Sequence, residues 1–236
     1  MSDTAKIAIT TAGLRGSEWG PVSLPEDVRV SVHPLRTSDG ASVTGYLFAR
    51  GGEQTVVCNM HPRELVVANY LVPEILSGGC AVWLQGPRSV GNDLRLEHEK
   101  AVLDLAAGQV FLRDVAGYER RVLLGISGGG PLAAMYAQQA GLPPADRIAR
   151  SPGGRSTGLD KADLPEPDGI VLVSCHPGQG IILMNAIDPA VVDESDPLKT
   201  DESLSAFNPE NGFAAPPHSS SYSPEFLARY RAAQRA

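Results

Sequence analysis

Residues 121–139, RVLLGISGGGPLAAMYAQQ, narrow the fold more than any other stretch of the chain. A short apolar run, Val122-Leu123-Leu124, meets Gly125-Ile126-Ser127-Gly128-Gly129 and passes at once into a helical pattern. This reads as strand, sharp turn and helix, with a serine at the apex. A serine lifted clear on such a turn needs a strained backbone, and a side chain at either flank would meet the neighbouring strand or helix. The helix start behind it turns free backbone N–H groups towards the serine, where a tetrahedral oxyanion would form. The competing reading is a Gly-rich turn that only packs closely or cradles a phosphate. Its phosphate form lacks the Gly-Lys-Ser/Thr of a P-loop.

Strand and helix patterns alternate on both sides of this turn. Residues 28–32 and 43–49 read as the arms of a hairpin around Thr37-Ser38-Asp39-Gly40. Residues 54–60 form a buried-type strand, followed by a helix from Pro62 to about Leu76 with Leu65, Ala68, Leu71, Val72 and Ile75 on one face. Gly78-Gly79 stops that helix, and residues 80–84 are the next strand. A helix over about 94–116 follows, striped by Ala101, Leu105, Gly108, Leu112 and Val115, with Gly108 weakening its centre. Leu132, Met135, Tyr136 and Ala140 stripe the helix after the serine, and Gly141 ends it. Residues 142–168 read as a surface excursion and residues 169–174 as another buried strand.

These elements predict an α/β fold: a mostly parallel sheet with an N-terminal antiparallel hairpin and helices on both faces. Sites in such sheets lie beyond the carboxyl ends of the strands. Ser127, His61, Arg88 and His176 each follow such an end and are expected to converge. Residues 1–26 read as a loosely ordered lead-in, 27–180 as the core, and 181–236 as a lid-like or arm extension ending in a helix. Ser223-Pro224-Glu225 opens that helix, whose Phe226, Leu227 and Tyr230 share one side. An amphipathic helix of this kind needs a surface to bury it.

Composition removes several function classes. A net charge of −7 without a Lys/Arg stripe argues against nucleic acid and against an anionic membrane surface. No apolar run approaches membrane-spanning length, and the first residues lack a signal-peptide pattern, so a cytoplasmic location is expected. Cys58, Cys80 and Cys175 fall in or beside predicted strands with no C-x-x-C spacing, which suits apolar packing better than a disulfide or zinc site. The acidic residues from Asp188 to Glu202 match no calcium loop and read as solvated surface. No metal or cofactor is implied.

Gly125, Ser127 and Gly129, between a strand and a helix, resemble the nucleophile elbow of the α/β-hydrolase superfamily. The Ser-Asp-Gly turn opening the second strand also resembles the start of many such domains. The resemblance covers about residues 28–180 and implies a serine hydrolase acting on a carboxylic ester or related acyl compound, with Ser127 as nucleophile. It implies an oxyanion held by the Gly128 N–H and by a second N–H after the third strand. There the superfamily often has His-Gly, and this chain reads His61-Pro62-Arg63; Pro62 has no N–H, so Arg63 is the expected donor. His61 is expected to be structural, fixing its loop.

The family order of serine, acid and histidine leaves only His176 and His218 after Ser127. His176 directly follows the next strand and is the base candidate; His218 sits in Ala-Pro-Pro-His-Ser-Ser-Ser. The family's last two strands, which carry acid and base, have no counterpart in this sequence. The chain is therefore expected to be the N-terminal part of a hydrolase, its remainder a second polypeptide completing the fold, a cleaved fragment or the product of a split gene. A shortened fold that recruits His176 or His218, and a binding or assembly subunit without a working triad, are the alternatives.

Overall fold

Side-chain alternation shows how the sheet is covered. In the computed structural model, which describes residues 24–65, 69–92, 94 and 96–236, β4 (Ala81–Gly86) is buried along its whole length. Its Ala81 and Trp83 face a core made with α2 (His98–Asp114) and α3 (Gly129–Ala140). Its Val82 and Leu84 face the opposite way, onto Val72 and Leu76 of α1 (Val72–Ser77). Helices therefore cover both faces, as the sequence predicts. Most of the predicted lead-in, Ala68 of the predicted helical stripe, and Asp93 of the loop after β4 lie outside the described residues.

The sheet has six strands in the order β1-β2-β4-β3-β5-β6. β1 (Arg29–Arg36) and β2 (Ser42–Ala49) form the expected antiparallel hairpin, and β2 also pairs antiparallel with β4. β3 (Thr55–Met60), β4, β5 (Arg120–Ile126) and β6 (Gly169–Val173) run parallel to one another. The hairpin closes with Gly40 at φ 87° and a 3.0 Å bond from the Thr37 N–H to the Ala41 carbonyl. Such a φ is open to glycine at little cost.

Several local expectations need correction. The helix after β3 begins near Pro73, not Pro62, and the described part of residues 61–65 is irregular. Proline has no N–H for the preceding turn, so Pro73 starts the helix, while the Asn69 side chain accepts the Leu71 N–H ahead of it. Val115 lies past the end of α2 and is exposed. Gly108, expected to weaken α2, instead makes room: a Cβ there would stand 1.9 Å from Gln85 Oε1 and 2.8 Å from Trp83 Nε1. The excursion 142–168 also feeds the core, since Leu159, Ala162 and Leu164 are buried within it.

β6 is the largest departure. Its apolar run suggests burial, yet Ile170, Val171 and Leu172 are 39%, 48% and 57% exposed. The apolar run predicts the strand but not its exposure, because β6 lies at the edge of the sheet.

The chain divides into two units, and Pro177–Ala236 is the second. It contains α4 (Gln179–Ala186), which the sequence reading did not anticipate, and α5 (Pro224–Ala233), which it did. The Ser223 side chain caps α5 by accepting the Phe226 N–H. The apolar side of α5 is partly used inside this unit: Phe226 is buried beside Tyr222 and Tyr230, while Leu227 stays exposed. The Gln234 amide ties the end of α5 to the Asn185 and Ile187 carbonyls.

Candidate active site

β5 ends at Ile126 and α3 begins at Gly129, so Ser127 and Gly128 make the whole turn. Ser127 has φ 50°, one of two non-glycine residues with positive φ among the described residues, and is exposed. Its N–H donates to the Val173 carbonyl at 3.2 Å, and its carbonyl accepts the Gly130 N–H at 3.1 Å. The strain is carried by the serine itself. The glycines around it serve close approach: a Cβ on Gly125 would lie 2.5 Å from the Gly130 Cα, and one on Gly129 would lie 2.8 Å from the Met60 carbonyl oxygen.

Strand order decides what meets this turn. β3 and β6 flank β5, so the loops after both strands border the elbow on opposite sides. His61 follows β3 and His176 follows β6. A Cβ built on Gly128 would stand 2.8 Å from His61 Nε2 and 3.5 Å from His176 Nε2. Ser127, Gly128, His61 and His176 are thus gathered at one place.

Arg88 is drawn elsewhere. It follows β4, which β3 separates from β5. Its guanidinium donates to both Asp39 carboxylate oxygens at 2.7 Å and to Asp104 Oδ1 at 2.7 Å. It forms one wall of a cavity of about 760 Å³, shared with Ser89, Asn92, Glu97, Lys100 and Arg155. Arg63 also differs from expectation. Its N–H donates to His61 Nδ1 at 3.3 Å, so this amide is aimed at an imidazole. His218 lies in the second unit, where its N–H closes a turn onto Ala215.

The sequence matches no family model and no curated protein sequence. Among solved structures the chain is similar to a Pyrococcus furiosus esterase, at 21% identity and a TM-score of 0.42 over 53% of this chain and 49% of that one. It is also similar to a brefeldin A esterase described as a bacterial homologue of human hormone sensitive lipase, at 19% identity and a TM-score of 0.39 over 55% and 37% of the two chains. A prolyl oligopeptidase from Galerina marginata gives 14% identity and a TM-score of 0.39 over 50% and 19%. These neighbours are esterases and prolyl peptidases of the α/β-hydrolase fold, and each match takes in about half of this chain. The chain spans about half the length of the first.

His98 and Ser174 were not singled out from sequence, and Cys175 was expected only to pack. His98 opens α2, and its imidazole is pushed below its ordinary pKa by burial, opposed by Glu99 and reinforced by the charge of His176. Ser174, at φ 48°, is the second strained serine and follows β6 just as Ser127 follows β5. Cys175 sets its Sγ 3.1 Å from the Gly125 carbonyl oxygen, beneath the turn. A Cβ on Gly130 would lie 2.0 Å from that sulfur. Position gave one signal for His98 and Ser174, since both sit just past a strand end or at the helix start beyond it. Nothing in the spacing marks Cys175. Among the described residues, no three His, Cys, Asp or Glu side chains are arranged to hold a metal ion.

Proposed function

We propose that this chain carries the nucleophile of a serine hydrolase of the α/β-hydrolase type, acting on a carboxylic ester or related acyl compound. The observation that carries the reading is Ser127: exposed, held at φ 50° at the end of a parallel strand, with a helix N-terminus behind it. Strained non-glycine backbone persists where the surroundings over-determine it, and it clusters at functional sites.

In this reading the Ser127 hydroxyl attacks the acyl carbon while a histidine takes its proton. The carbonyl electron pair moves onto oxygen, which the Gly128 N–H holds. Collapse of this intermediate breaks the bond to the alkoxide, which leaves with the proton from the imidazolium. Water then repeats the sequence on the acyl-enzyme and releases the acid and the free serine. No metal or organic cofactor takes part.

His176 is the base this chain offers, its Nε2 standing 3.5 Å from where a Gly128 Cβ would be. A second polypeptide adding strands to β6 supplies the orienting carboxylate and, in the fuller form of the reading, the base itself. The exposed apolar residues of β6 support such a partner.

Pre-steady-state hydrolysis of p-nitrophenyl acyl esters tests the reading. A burst of up to one equivalent of p-nitrophenol is expected, with turnover falling on the order of 10⁴-fold or more in Ser127→Ala. Turnover that survives Ser127→Ala sinks the reading. So does a wild-type particle without esterase activity, which leaves a binding or assembly subunit.

A further inference from the structure

We infer that the His61 side chain is the second oxyanion donor, through Nε2–H, and that the Arg63 N–H fixes it in that role. The inference rests on the hydrolase reading of Ser127. A tetrahedral oxyanion needs two converging donors, and the Gly128 N–H gives one. The loop after β3 is the expected source of the other, but the Arg63 N–H is directed to His61 Nδ1.

That bond determines what the imidazole can do. A nitrogen that accepts an N–H presents its lone pair, so Nδ1 carries no proton. A neutral imidazole keeps one proton, which then resides on Nε2. His61 Nε2 stands 2.8 Å from the point where a Gly128 Cβ would be, on the flank of the residue that gives the first donor. Only a hydrogen at residue 128 leaves that flank open to the ring. The imidazole thus delivers a donor to the place where the backbone amide no longer points. In this tautomer Nε2 has no lone pair to accept the Ser127 proton, so His61 is a donor and not the base. A neutral imidazole donor stabilises an oxyanion without giving up its proton.

The tautomer is readable without catalysis. In ¹⁵N-labelled full-length chain, with the His61 ring assigned by its loss in His61→Gln, protonated Nε2 and bare Nδ1 are expected. A proton on Nδ1 overturns the inference. The second readout is the rate at which a fluorophosphonate labels Ser127. His61→Ala is expected to slow labelling by about 10²–10³-fold, the usual loss of one oxyanion donor. His61→Gln, whose amide keeps an N–H, is expected to restore most of that rate. If His61→Gln is folded and as slow as His61→Ala, the donor role fails. A labelled wild type whose rate is untouched by His61→Ala ends this role alone; a wild type that takes no label ends the hydrolase reading and this role together.

Discussion

At residue 125 the turn leaves no room for a single carbon. A Cβ there meets the Gly130 Cα at 2.5 Å and the Gly129 carbonyl oxygen at 3.0 Å, backbone against backbone. Neither atom can swing aside, so Gly125→Ala is expected to cost about 1–3 kcal/mol, measured by urea unfolding. Gly128→Ala should behave differently, because its Cβ meets the tip of the His61 ring, which can rotate. Stability should hold within about 0.5 kcal/mol while labelling of Ser127 slows, since the displaced ring no longer faces the oxyanion. The pattern Gly125-x-Ser127-x-Gly129 was legible because its requirements are local to one strand, turn and helix. The role of Gly130 was not, because its neighbour Cys175 arrives only when β6 is laid beside β5. The same applies to Arg63: spacing placed its amide in the right loop, and only the structure shows that the amide serves His61.

Between elements, Arg88 joins three pieces of the fold: the end of β4, the β1–β2 turn through Asp39, and α2 through Asp104. The Asp104 side chain is fully buried, and burial pushes its carboxyl pKa up against the opposing pull of Arg88. The Asp39 carboxyl is held far below the usual carboxylate range, chiefly by its hydrogen bonds from Arg88. A depressed acid adds stability that is fully present above its unfolded pKa of about 3.9 and is lost as pH falls towards the folded value. Asp104, shifted upwards, contributes in the opposite direction, its protonation favouring the folded state. Asp39→Asn should therefore be less stable than wild type at pH 7, and the gap should narrow as pH falls below about 4, read by urea midpoints. An unchanged gap at low pH would contradict this. Element type was legible from periodicity throughout the sheet. Boundaries were less so: α1 starts near Pro73 and not at Pro62, and β6 shows that an apolar run does not report whether anything covers it.

On the scale of the whole molecule, one exposed feature is the β6 edge, where Ile170, Val171 and Leu172 offer apolar side chains on both faces of a strand paired with β5 on one side only. Edges of this kind invite another strand. If a second polypeptide completes the sheet there, Leu172→Lys should leave the stability of this chain within about 0.5 kcal/mol and remove the partner from the particle seen by native mass spectrometry. Retention of the partner would move the interface away from β6. The central claim is narrower: Ser127 is an activated nucleophile. Intact mass of the native particle after exposure to a fluorophosphonate tests it most directly. The account predicts one adduct on this chain, absent from Ser127→Ala. No adduct on the wild-type chain, or an adduct that persists in Ser127→Ala, would contradict it.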